Sequence, residues 1–150
     1  MPQTQTLGYL CNEIIPKGTS SGVRTIDIGP HPLDVGVRLE ELGRLEDGWL
    51  DGDGKALPQE GLQWLFESFE RYFLDHTPLP YICPTEDGGV CLEWSLATMN
   101  FSLEIDLHNH SGYWHTLNDL ENTSVEKEID LNLPESWRWF CGQIKQGGVL

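Results

Sequence analysis

The chain reads as an α+β fold. A single domain is expected in which an antiparallel meander of about four to five strands is packed by one long central helix and a C-terminal amphipathic helix. Three observations predict this. Apolar residues recur at helical spacing through residues 58–73, the period changes to two after Pro80, and a second helical stripe follows Pro134. No strand and crossover helix alternate, so nothing supports a parallel sheet.

Residues 1–32 are rich in Thr, Ser, Gly and Pro, with one strand-like run, "VRTIDI", before a "GPHP" breaker. They are expected to form an irregular arm packed on the domain that occupies 33–150. In "LDVGVRLEELGRL" Val35, Leu39, Leu42 and Leu45 fall at spacings of four and three, one face of a short helix weakened by Gly36 and Gly43. "EDGWLDGDGK" is a Gly/Asp loop. Pro58 then suits the start of a helix carrying the stripe Leu62, Leu65, Phe66, Phe69, Tyr72 and Phe73. That helix must stop before "HTPLP", because a residue preceding proline is pushed out of helical geometry.

Beyond Pro80, Val90, Leu92, Trp94 and Leu96 alternate with Cys91, Glu93, Ser95 and Ala97. Phe101, Leu103, Ile105 and Leu107 alternate with Ser102, Glu104, Asp106 and His108. These are two half-buried antiparallel strands joined near "TMN". "NHSG" turns the chain into "YWHTLN", and "VEKEIDLNL" supplies a further strand. At the end of the chain Trp137, Phe140, Cys141 and Ile144 share a helical face until "GG".

The stretch "LPYICPTEDGGVCLEW" raises the question of a thiol or metal site at Cys83 and Cys91. A three-residue loop "EDG" with Gly88 in the left-handed region would set Ile82 opposite Leu92 on the buried face and Cys83 opposite Cys91 on the other. A two-residue turn would slip the register and separate the cysteines. Turn chemistry accounts for the glycines either way, and two thiols without a nearby histidine make a poor zinc set. With no signal peptide or membrane span in the sequence, a cytoplasmic location is expected, and the four cysteines, at 11, 83, 91 and 141, are expected to be reduced.

Charge narrows the function. The 150-residue chain carries a formal −15, and residues 86–130 hold ten acids against the single base Lys127, so −9 of that total comes from one segment. Direct binding to nucleic acid or to an anionic membrane is electrostatically unfavourable, and a basic protein partner is favoured. The first expectation is therefore a non-enzymatic acidic protein that binds and occludes such a partner, of antitoxin, immunity, inhibitor or chaperone type. Glu93, Glu104, Asp106, Glu126, Glu128 and Asp130 would steer and pair with Lys or Arg, and Trp114 or Trp139, read as facing outward, would anchor the contact. No cofactor is expected.

Two alternatives use other residues. A small metal-dependent hydrolase would draw on Glu104, Asp106, His108, His110 and His115, imidazole and carboxylate donors suited to zinc, manganese or iron. A degenerate calcium-binding module would use 49–60, where Asp51, Asp53, Gly54 and Glu60 match an EF-hand loop but Trp49 stands at its first ligand position. There is no Gly-x-Ser-x-Gly elbow and no phosphate-loop lysine, although a Cys–His pair formed only in three dimensions would leave no sequence signal.

The loop "GWLDGDGK", the hairpin pattern Pro-Thr-x-x-Gly-Gly-Val-x-x-Glu-Trp and the strand "FSLEIDL" resemble a group of small uncharacterised bacterial proteins with a Trp-Asp-Gly-type loop. The resemblance spans about residues 46–118. It implies a shared fold and a plausible link to mobile elements or toxin–antitoxin-like gene pairs, and it brings no catalytic residues with it.

Overall fold

The computed structural model describes residues 32–149, so the expected N-terminal arm and its "VRTIDI" strand lie outside the described residues. The elements run α1 (Pro32–Leu42), α2 (Gln59–Tyr72), β1 (Tyr81–Pro84), β2 (Val90–Leu96), β3 (Met99–Asp106), β4 (Ser111–Asn118), β5 (Thr123–Asp130) and α3 (Pro134–Val149). The five strands form one antiparallel sheet in the order β1-β2-β3-β4-β5, each paired with its neighbour in sequence. This is the α+β meander that the change of period predicts. Among the described residues no helix is long and apolar enough to cross a membrane.

Turn chemistry sets the register. Thr85 N–H donates to Gly89 O, Gly88 N–H donates to Thr85 O, and Gly88 takes φ +91°, leaving Glu86, Asp87 and Gly88 as the three-residue loop. Ile82 then pairs with Leu92 and Cys83 with Cys91, so the stretch is a hairpin whose cysteines share the non-core face. Cys91 and Cys141 are free and buried, whereas Cys83 is disulfide-bonded, which corrects the expectation that it is reduced.

The next hairpin turns on Ala97 and Thr98, and the one after it on an Asx turn. Asp106 Oδ1 accepts from the N–H groups of His108 and Asn109, and its Oδ2 accepts from Asn109 Nδ2. That turn fixes Leu103 opposite Trp114 and Ile105 opposite Gly112.

One sheet face is the core. Ile82, Val90, Leu92, Trp94, Phe101, Leu103, Ile105, Trp114 and Ile129 all point to it and pack with Val35, Leu39 and Leu42 of α1, Leu62, Leu65 and Phe69 of α2, and Trp137, Phe140, Cys141 and Ile144 of α3. At about 1.5–3 kcal/mol for each large side chain removed from water, this cluster dominates folding. Trp114 is at its centre, its ring 5.5 Å from Phe101, 5.8 Å from Phe140 and 6.1 Å from Trp94.

Two of the buried indoles bond their N–H groups to backbone carbonyls: Trp94 Nε1 donates to Pro78 O and Trp137 Nε1 to Leu131 O. Helix α2 comes so close to the β3–β4 turn that a Cβ on Gly61 would sit 2.6 Å from Leu107 O. Only glycine permits that approach.

Candidate functional site

The second face of the sheet is the candidate site. Cross-strand pairing lines up Cys91, Glu104, Tyr113 and Glu128 in one row and Glu93, Ser102, His115 and Glu126 in the next, with Asp106, Ser111 and Asp130 at one end. All six acids expected to meet a partner, Glu93, Glu104, Asp106, Glu126, Glu128 and Asp130, stand on this side, because strand pleating sends alternate residues to one face. The face carries no lysine or arginine on any of the five strands. Lys127, the base within the acidic segment, belongs to the inner face, where its Nζ lies 4.4 Å from the centre of the Trp139 ring.

Exposure is uneven. Cys83, Cys91, Ser102 and His115 are buried and Glu93 and Glu104 half-buried, whereas Glu126, Glu128 and Asp130 on β5 are exposed. Towards the β1–β2 and β3–β4 turns the face hollows into a groove of about 720 Å³ lined by Asp87, Glu104, Asp106, Tyr113, Glu128 and Asp130 among others.

Burial raises the carboxyl of Glu104, and the nearby charge of Asp87 adds to the shift; burial likewise raises Glu93. The Cys91 thiol lies between them and is pushed well up, first by burial and then by the two glutamates, so it is an inert thiol. Tyr113 donates its hydroxyl to Glu126 Oε1, and that bond holds the phenol above its ordinary range. The groove is thus a place where negative charge is already crowded and a cation would relieve the crowding.

The acids differ in what they have left to offer. Asp106 uses both oxygens in its turn, and these bonds, led by the Asn109 N–H, hold it below the usual carboxylate range. Asp130 Oδ1 accepts from Asn132 N–H. Glu126 keeps its Oε2 beside the Tyr113 bond, and the exposed Glu128 is the carboxylate most open to a partner.

Neither predicted anchor stands here. Trp114 is 1% exposed on the inner face, opposite Leu103, which corrects the expectation of an outward indole. The physical reason is register: the loop after β3 decides which alternate set of β4 turns inward, and the mixed set Tyr113, His115 and Leu117 gave no clear apolar signal. Trp139 is half-buried on α3, edge-on to Trp114 at 5.7 Å and covered by Lys127. The aromatics on the acidic face are Tyr113 and the exposed Tyr81, and the sequence reading passed over both. Tyr113 shares parity with His115, which was the available clue.

The residues of the two alternative readings do not converge. His110 stacks on Trp64 of α2 with ring centres 3.9 Å apart and bonds Asn132 Oδ1, His108 is exposed in the β3–β4 turn, and His115 is buried beyond Ser102. In the 49–60 loop, Leu50 and Asp53 bridge each other across a tight turn, and Glu60 lies in the first turn of α2. Among the described residues no three His, Cys, Asp or Glu side chains gather at metal-binding distance. Compared with known proteins, the chain matches no family model, no curated sequence and no solved structure.

Proposed function

We propose that this protein binds a basic protein through the outer face of its sheet and occludes that partner's cationic surface, acting by contact and without catalysis. One observation carries the reading: six carboxylates from three strands share a face on which no strand places a lysine or arginine, beside a groove where burial and the charge of Asp87 already raise Glu104. Such a face attracts positive charge at long range and gains by neutralisation on contact. Glu126 and Glu128 make the charged contacts, Glu93 and Glu104 deepen the potential, and Tyr113 and Tyr81 supply flat aromatic surface. Antitoxins, immunity proteins, inhibitors and chaperones of basic proteins all work in this manner, and a cytoplasmic setting accords with the sequence.

The test is affinity capture from the source cells with wild-type protein and with the charge-reversed double variant E126K/E128K as paired baits. The reading expects one basic protein retained by the first, lost from the second and released by moderate salt. A partner held equally by both baits would falsify it.

A further inference from the structure

The two edges of the sheet are unlike. The β1 edge is four residues long and includes Pro84, which has no N–H, while Ile82 O accepts from Arg38 Nε at 2.8 Å. Short length, proline and a side-chain cap are the usual means of closing an edge. The β5 edge is eight residues long, and no described strand pairs with its outer side.

Which of its backbone groups are open follows from the ladder. Asp119 N–H donates to Thr98 O and Leu131 N–H donates to His110 O. Antiparallel pairs alternate between bonded and non-bonded. Each bond independently fixes the same alternation, so Thr123, Val125, Lys127 and Ile129 bond to β4 while Ser124, Glu126, Glu128 and Asp130 turn their N–H groups outward. Asp130 O is taken by Leu133 N–H. Among the described residues both groups of Ser124, Glu126 and Glu128 are without a backbone partner. These are also the residues whose side chains lie on the acidic face.

Resting on the binding function above, we propose that the partner docks by adding an extended strand, antiparallel, to the free edge of β5, with Lys or Arg at alternate positions opposite Glu126 and Glu128. In an antiparallel bonded pair the two side chains lie on the same face, so backbone pairing by itself sets each cation beside a carboxylate. The intervening partner residues fall on the inner face beside Val125, which is 59% exposed, and along the Lys127 stem over Trp139. Apolar side chains suit those positions. The recognised segment is therefore basic–apolar–basic–apolar in an extended conformation. A second copy of this chain does not fit the edge, because antiparallel β5–β5 pairing sets Glu126 and Glu128 against their own copies or each other, and like charges directly opposite are destabilising.

The probe is a short capped peptide of alternating arginine and valine, compared with versions N-methylated on the arginine nitrogens or on the valine nitrogens. Only the arginine N–H groups would point at β5. Binding is read by fluorescence anisotropy at low ionic strength, and amide exchange is followed in the wild-type protein. The expected result is a loss of about tenfold or more on methylating arginine nitrogens, little change on methylating valine nitrogens, and slowed exchange at Ser124, Glu126 and Glu128. Ser124→Pro, which removes an outward N–H without changing charge or the β4 ladder, should weaken binding severalfold. If all three peptides bind equally and no outward amide is protected, edge pairing is overturned while binding to the acidic face survives. If the unmodified peptide fails to bind at all, both fall.

Discussion

The same five strands present two faces with opposite physics. On the inner face Trp94, Phe101, Leu103 and Trp114 exclude water and find partners from three helices. On the outer face Glu93, Glu104, Glu126 and Glu128 accumulate like charge, and no strand residue of that face is a lysine or arginine. Evolution for stability alone would not collect carboxylates this way, since burial raises the cost of ionising Glu93 and Glu104 and the charge of Asp87 adds to it at Glu104. The inner face explains why the chain folds, and the outer face is where a function is to be sought.

Four variants sharpen that contrast. The largest effect belongs to the inner face: Trp114→Ala should cost about 3–5 kcal/mol in denaturant unfolding, because the ring is enclosed by Phe101, Phe140 and Trp94 and the site cannot collapse to fill the void. A cost below about 1 kcal/mol would show that Trp114 is exposed after all.

Next, E126K/E128K should weaken binding of a basic partner by about tenfold or more while shifting stability by no more than about 1 kcal/mol, since both side chains are exposed and the only side-chain bond lost among the described residues is the surface one from Tyr113 to Glu126. Asp106→Ala, which removes an acceptor of two backbone N–H groups, should destabilise by about 1 kcal/mol. Because the folded-state value of Asp106 is lowered, that contribution is present above its ordinary 3.8 and is lost as pH falls through the lower folded value.

The smallest effect has the opposite sign. Glu104 is raised by burial and by Asp87, so the native state holds more protons than the unfolded chain from about pH 4.5 upward, and stability declines as pH climbs through that window. Glu104→Gln should stabilise the protein at neutral pH by under about 1 kcal/mol, after allowing for solvent screening, and flatten the decline. Thermal melts across pH 4–8, compared with the wild type, would reveal it.

Much of this was legible in the sequence, and the reasons are specific. The stripe from Leu62 to Phe69 and the alternations around Leu92 and Leu103 are strong periodic signals, so α2, β2 and β3 came out in place. Of the two turns the sequence leaves open, the three-residue "EDG" loop with Gly88 left-handed is the one the structure adopts, and it gives the Ile82–Leu92 register. Strand parity then placed all six acids on one side.

The orientation of β4 was not legible. Neither alternate set in "SGYWHTLN" is plainly apolar, and the choice rests on the Asx turn at Asp106 and on the room that Gly112 leaves beside Leu103. The scattering of His108, His110 and His115 likewise follows from a turn and from stacking on Trp64, contacts between residues far apart in the chain.

The most direct test of the central claim is to measure the affinity of the unmodified Arg/Val peptide for the wild-type protein from low to physiological ionic strength, with amide shifts mapped at each step. The account predicts affinity that falls steeply as the screening length shortens from about 30 Å to about 8 Å, with shifts confined to β4, β5 and the groove around Glu104. Affinity indifferent to salt, or shifts centred on the helices, would contradict it.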